Sequence, residues 1–166
     1  LIQRLFPNRL WQIGTADSKI HLTFDDGPVP GVTDFVLDQL AKRGQIGTFF
    51  MVGENVQKHP CLAKEVLDSG HLIGNHTQHH LNGWKTDFRT YQEDVRRCDQ
   101  ALEEKLGVKT GFFRPPYGLM TSRQASVISQ EKQIVMWSLL TRDYEKGLKS
   151  DQILFNSKKL TQPGKI

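Results

Sequence analysis

The chain has 166 residues, 37% hydrophobic and 24% charged, with 14 glycines and 7 prolines, the make-up of one ordinary compact domain. Its net charge of +4 is mild, and Lys and Arg are scattered among acids with no basic stripe or interleaved aromatics, which argues against a nucleic acid partner. No apolar run reaches the length of a membrane span, no basic-plus-apolar leader is legible, and Cys61 and Cys98 build neither a C-x-x-C nor a disulfide framework, so both are expected as buried free thiols.

In chain order, residues 1–19 read as an N-terminal extension packing on a domain that runs from 20 to 166. Ile20, Leu22 and Phe24 alternate as in a strand, which ends at Asp25 and Asp26 where Gly27-Pro28 opens a turn. Val32 to Arg43 carries Phe35, Val36, Leu37 and Leu40 at helical spacing, with Thr33 as a candidate cap and Gly44 as the stop. Thr48 to Val52 reads as a buried strand and Val56 to Ser69 as a helix, whose Pro60 requires the regular part to begin near it. Leu72 and Ile73 suggest a short strand. Tyr91, Val95, Cys98, Leu102 and Leu106 share one face opposite charged residues, so a helix is predicted from Thr90 to Leu106, with Gly107 ending it.

Phe112-Phe113 leads as a short strand into the stiff loop Arg114-Pro115-Pro116-Tyr117-Gly118. A helix over Ser122–Glu131, a strand over Ile134–Leu139, a helix capped by Ser150 or Asp151 through Leu160, and a strand starting at Lys165 after the Pro163-Gly164 turn complete the pattern. Strand-then-helix units in succession imply an α/β fold with a mostly parallel sheet. The chemistry-bearing residues fall at strand C-terminal ends, where such sheets and barrels place their sites.

Those residues suggest a metal centre with a base beside it. Neighbours on a strand point opposite ways, so of Asp25 and Asp26 one carboxylate can face an ion while the other accepts a proton from water. His76 and His80 are spaced to lie on one side of a helical turn and grip one ion with Asp26, giving a His, His, carboxylate set. Zinc suits these ligands first, with Co2+, Ni2+, Mn2+ or Fe2+ as alternatives. A polar loop with each ring hydrogen-bonded to backbone is the competing account of the histidines, and a simple turn that of the aspartates. His79 projects differently and is read as a non-ligand, while His21, His59 and His71 read as ordinary strand or surface residues.

Four ordered motifs, T-F-D-D-G-P (23–28), T-F-F-x-V-G-E-N-V (48–56), G-N-H-T-x-x-H (74–80) and F-R-P-P-Y-G (113–118), resemble the polysaccharide deacetylase family, also called the NodB-homology domain or carbohydrate esterase family four. The resemblance implies a distorted, incomplete (β/α) barrel. It also implies Asp25 as catalytic base, Asp26, His76 and His80 as metal ligands, Arg114 as the partner orienting the base, and the Tyr117 backbone N–H as an oxyanion donor on a loop stiffened by Pro115 and Pro116. The reaction implied is removal of N-acetyl from an amino-sugar glycan, such as N-acetylglucosamine of chitin oligomers or peptidoglycan.

Two features depart from the family pattern. The general-acid histidine of its L-x-H motif has no match up to Ile166, so an L-x-H strand and a closing helix are expected downstream. Asp143 resembles the acid that orients that histidine. The family's D-x-x-D-W stands here as Leu140-Thr141-Arg142-Asp143-Tyr144, and Trp84 and Tyr144 are the aromatic candidates for contact with a sugar. A glycan-binding protein that has lost turnover, or an O-acetyl esterase, are the alternatives. The chain is expected to be a monomer, and the compartment stays open between cytoplasm and cell envelope.

Overall fold

The computed structural model of the protein describes residues 6, 8–14 and 19–166; the rest of the expected N-terminal extension lies outside the described residues. It divides into two compact units, residues 22–135 and residues 1–21 with 136–166.

The larger unit holds β1 (Thr23–Gly27), α1 (Thr33–Ala41), β2 (Thr48–Met51), α2 (Gly53–Lys58), α3 (Pro60–Asp68), β3 (Leu72–Asn75), α4 (Phe88–Leu106), β4 (Phe112–Phe113), a 3-10 turn (Pro116–Gly118), α5 (Ser122–Ile128) and β5 (Gln133–Ile134). The five strands are all parallel and stand in sequence order β1-β2-β3-β4-β5. Sequential order is the barrel arrangement; a doubly wound sheet would reverse direction at a switch point. The sheet does not close, so the architecture is the open, incomplete barrel that the motifs imply.

The core forms where the apolar faces of the helices meet the sheet. Leu37 and Leu40 of α1, Val56 of α2, Leu62, Ala63 and Val66 of α3, and Cys98, Leu102 and Leu106 of α4 pack with Phe49, Met51 and Ile73. The charged face of α4 stays outside, as its periodicity requires. That helix starts two residues earlier than predicted, because the Asp87 side chain accepts from Thr90 N–H (3.1 Å) and caps it. Gly107 ends it in the left-handed conformation (φ 69°) that favours glycine.

Several boundaries differ from expectation for local reasons. The predicted helix 56–69 is two helices broken at His59, with Pro60 opening the second, where a missing N–H costs nothing. Thr33 lies inside α1 and its hydroxyl accepts from Val29 N–H (2.8 Å), in place of the expected cap. Thr121 and Gln124 form a reciprocal capping box, and α5 stops at Ile128. The strand expected over 134–139 reduces to Gln133–Ile134, since Met136 already belongs to the smaller unit, where its N–H pairs with Leu10 C=O (2.7 Å).

In the smaller unit the described part of the N-terminal segment is bonded to the C-terminal one. Gln12 and Lys165 form an antiparallel bridge, Ile13 N–H donates to Gly164 C=O (2.9 Å), and His21 N–H donates to Lys165 C=O (2.8 Å). Lys165 thus makes a single bridge where a strand was predicted. The unit's one assigned helix, α6 (Ser150–Leu160), buries none of its residues. Among the described residues no helix is long and apolar enough to cross a membrane.

Cys98 is fully buried, and desolvation pushes its thiol up to about 12. Cys61, expected inside, is exposed on the first turn of α3, because the buried stripe of that helix runs through Leu62, Ala63 and Val66. A thiol-specific reagent should therefore titrate one thiol per chain in the native protein and two after denaturation. Gly74 lies against the Phe50 ring, and a Cβ there would run into it. Gly74→Ala should lower stability by about 1–3 kcal/mol in chemical denaturation, the cost of overpacking a tight core.

Candidate metal centre

Two carboxylates leave β1 in different directions because the strand is irregular there. Pairing with β2 is regular as far as Asp25, opposite Phe50, then slips so that Gly27 lies opposite Met51. The extra residue is Asp26, in the left-handed region at φ 68°. A bulge re-aims side chains, and aspartate is one of the few residues that tolerates this backbone. Asn55 Nδ2 of α2 donates to the Asp26 carbonyl (2.8 Å) and pins the bulge. Simple strand alternation was the expected cause of the divergence; the bulge is the actual one.

The histidines come from the segment after β3. It is a loop and not the helical turn that the four-residue spacing suggested, with Thr77 (φ 64°) and His80 (φ 56°) both left-handed. Outside glycine this backbone costs on the order of 1–3 kcal/mol per residue and persists only where neighbours over-determine it. Several groups do so. Thr77 N–H donates to Asn75 Oδ1 (2.8 Å), Leu81 N–H to Thr77 Oγ1 (3.2 Å), and Gly53 and Glu54 N–H at the start of α2 to the carbonyls of Thr77 and Gln78 (3.0 Å each). On the α4 side, buried Asp94 accepts through Oδ2 from Gln78 and His79 N–H (3.0 Å each), and its Oδ1 is 2.6 Å from His79 Nδ1.

The outcome is that Asp26, His76 and His80 converge. Asp26 Oδ1 stands 3.3 Å from His76 Nε2 and 3.0 Å from His80 Nε2, and the three candidate ligand atoms lie within 4.8 Å of one another. Tetrahedral ligands bonded at about 2.0–2.2 Å are roughly 3.3–3.6 Å apart, so the set fits a single divalent cation. His76 Nδ1 is 2.7 Å from the Arg114 carbonyl, which can only accept. A proton on Nδ1 satisfies that carbonyl and would leave Nε2 available to a cation, the usual orientation of a ligating imidazole. His80 Nδ1 is hydrogen-bonded to the Tyr117 hydroxyl (3.2 Å). The two imidazoles that face it, His76 first and then His80, hold the Asp26 carboxyl far below the ordinary carboxylate range, despite some desolvation.

Asp25 belongs to a different contact set. Its Oδ1 accepts from Arg114 Nη1 (2.7 Å), which also donates to Thr23 Oγ1 (2.8 Å). Arg114 is buried (2% exposed), its Nε donates to Val135 C=O (3.2 Å), and its guanidinium lies 4.2 Å from the Phe50 ring centroid. Desolvation lowers its pKa, and the Asp25 charge opposes that shift. Pro115 and Pro116 are buried behind it. Tyr117 follows in the left-handed region (φ 60°), and the bonds of its turn run from Gly118 N–H to Pro115 C=O and Leu119 N–H to Pro116 C=O, so they do not use the Tyr117 amide.

Of the other candidates, Trp84 is two-thirds exposed, yet its Nε1–H donates to Met120 C=O (3.1 Å), which fixes the ring while leaving it open to solvent. Asp143 and Tyr144 belong to the smaller unit, where Asp143 Oδ1 accepts from Thr141 Oγ1 (2.8 Å) and Tyr144 is exposed. The His79 ring turns to Asp94. Asp94, Asn75, Asn55 and Thr23 were missed from sequence. Asp94 left a signal, since it lies three residues after Tyr91 and four before Cys98, an acid within the buried stripe of α4.

Residues 12–133 match the family model described as polysaccharide deacetylase. A peptidoglycan-N-acetylglucosamine deacetylase of Bacillus cereus is 35% identical over 150 residues, 90% of this chain and 54% of that protein. A chitooligosaccharide deacetylase of Azorhizobium caulinodans is 33% identical over 132 residues, 77% of this chain and 62% of that protein. The chain thus spans little more than half the length of these curated relatives. A crystal structure of a peptidoglycan N-acetylglucosamine deacetylase in complex with 4-naphthalen-1-yl-N-oxidanyl-benzamide superposes with a TM-score of 0.92 at 32% identity, covering 99% of this chain and 78% of that one. The model match across most of the sequence, on the same fold, means that the chain belongs to the polysaccharide deacetylase family.

Proposed function

We propose that the protein is a metal-dependent hydrolase that removes N-acetyl groups from an amino-sugar glycan, N-acetylglucosamine of peptidoglycan or of chitin oligomers. The observation that carries this reading is a carboxylate gripped by a buried arginine, Asp25, immediately beside a carboxylate that shares its oxygen with two imidazoles, Asp26. The two acids have different partners and therefore different work. The named activities of the relatives supply the substrate class.

Asp26, His76 and His80 would hold a divalent cation, Zn2+ first by ligand type. When bound, it supplies Lewis acidity that polarises the amide carbonyl and eases deprotonation of water near neutral pH. Asp25 accepts the proton of the attacking water. With Oδ1 engaged by Arg114, its Oδ2 is the oxygen that takes it. Arg114 holds that carboxylate in one orientation. The Tyr117 N–H, presented by the left-handed turn behind two buried prolines, donates to the oxyanion as the carbonyl becomes tetrahedral; a preorganised donor of this kind is worth about 3 kcal/mol. Asp143 is read as orienting the acid that protonates the departing amine. Trp84, fixed at its edge and open on its face, offers a stacking surface to a sugar ring, and Tyr144, exposed in the smaller unit, is read as another aromatic able to meet a sugar.

Acetate release from N-acetylglucosamine oligomers or peptidoglycan fragments, assayed with and without a chelator, tests the proposal. Chelator-sensitive release is expected, and glycan binding with no release under any metal would refute it. Asp25→Asn should keep the metal by direct metal analysis and lose about 10²- to 10⁴-fold in kcat. His76→Ala and His80→Ala should lose the metal itself, and equal metal loss in all three variants would overturn the division of roles.

A further inference from the structure

The loop that carries His76 and His80 has two left-handed non-glycine residues, one at each side of Gln78-His79, and it needs partners outside itself to stay that way. Its middle is clipped from two directions. The carbonyls of Thr77 and Gln78 accept from Gly53 and Glu54 N–H of α2. The amides of Gln78 and His79 both donate to one oxygen of Asp94 on α4, and the other oxygen takes the His79 ring nitrogen at 2.6 Å.

The Asp94 side chain is only 5% exposed and touches neither the candidate ligand atoms nor Asp25. A carboxylate buried on a helix face that is otherwise apolar is costly unless its oxygens are satisfied. Here the groups that satisfy it are all supplied by the metal loop, and two of the three are backbone amides, which no change of side chain on the loop could replace. Without the Asp94 carboxylate, the His79 amide and ring nitrogen would lose this partner and the Gln78 amide would keep only the Asp94 main-chain carbonyl (3.1 Å), so the loop could open on its α4 side. Opening it moves His76 and His80 relative to each other and to Asp26.

We propose that Asp94 is a positioning residue of the metal centre, whose buried carboxylate fixes loop 76–80 so that both imidazoles present Nε2 to the point that Asp26 also faces. The proposal rests on the metal-site reading above. His79 is its auxiliary, its ring closing the clamp with one of the three bonds and its amide giving another.

The test is zinc affinity of the purified full chain, by competition with a chromophoric chelator well below the unfolding temperature, with Co2+ absorption as a second readout. Asp94→Asn, which keeps the shape but loses the charge and one acceptor, should remain folded and bind zinc about 10- to 100-fold more weakly, the range found when outer-shell partners of ligands are removed. Its Co2+ spectrum should change in band position or intensity. His79→Ala, at a half-exposed ring, should weaken binding several-fold and serves as the test if Asp94→Asn does not fold. A merely structural Asp94 would lower the melting temperature while leaving zinc affinity and the Co2+ spectrum of the folded protein unchanged, and that result overturns the proposal. Wild-type protein that binds neither cation would overturn the metal-site reading itself, a failure distinct from wild-type binding with unaffected variants.

Discussion

Arg114 is the residue on which the rest of the larger unit depends. Its guanidinium bonds Asp25 and Thr23 of β1, reaches Val135 just past β5 and packs on Phe50 of β2. Its main chain is tied to the segment around β3, with its N–H on Asn75 C=O (3.0 Å) and its own C=O on His76 Nδ1. One buried cation thus touches four strand regions, orients the proposed base and fixes the tautomer of a proposed ligand. Stripping an arginine of water costs several kcal/mol, so it remains inside only because carboxylate, hydroxyl, carbonyl and ring all meet it. Gly74 belongs to the same constraint, because the Phe50 ring that supports the guanidinium occupies the space its side chain would need.

Strain accumulates around that anchor. Asp26, Thr77, His80 and Tyr117 are all non-glycine residues in the left-handed region, and all of them lie in the proposed ligand set, its loop or the proposed oxyanion turn. Each is held by bonds from elements that do no chemistry themselves. Asn55 holds the bulge at Asp26, Asn75 and Asp94 hold the histidine loop, and buried prolines precede Tyr117. The regular strands and helices thus serve as a frame against which a few unfavourable backbone conformations are fixed, and those conformations aim the side chains.

The secondary structure was legible wherever a single period dominated. The amphipathic stripe of α4, the apolar runs of β2 and β3 and the Gly107 stop were all read correctly, because each depends on residues close in sequence. Errors came where a distant partner decided. The strand after Ile134 ended early because Met136 found Leu10, and Cys61 lay outside because α3 turns its other face to the core. Asp94 was grouped with the solvated charges of α4, since periodicity alone cannot say that a loop will deliver three donors to one buried carboxylate.

The sequence by itself determined the family and the chain order of the proposed site residues, because the motifs keep Asp25, Asp26, His76, His80 and Arg114 together with the turn residues each requires. Its strand-helix alternation also implied a mostly parallel sheet, and the family resemblance implied the open barrel. Only the tertiary structure decided how the site is aimed. The bulge at Asp26 and the strained loop at His76–His80 replace the strand alternation and helical turn read from spacing. Both are stabilised by groups on later elements, Asn55 of α2 and Asp94 of α4, and a conformation whose stability comes from such contacts leaves no local period to read.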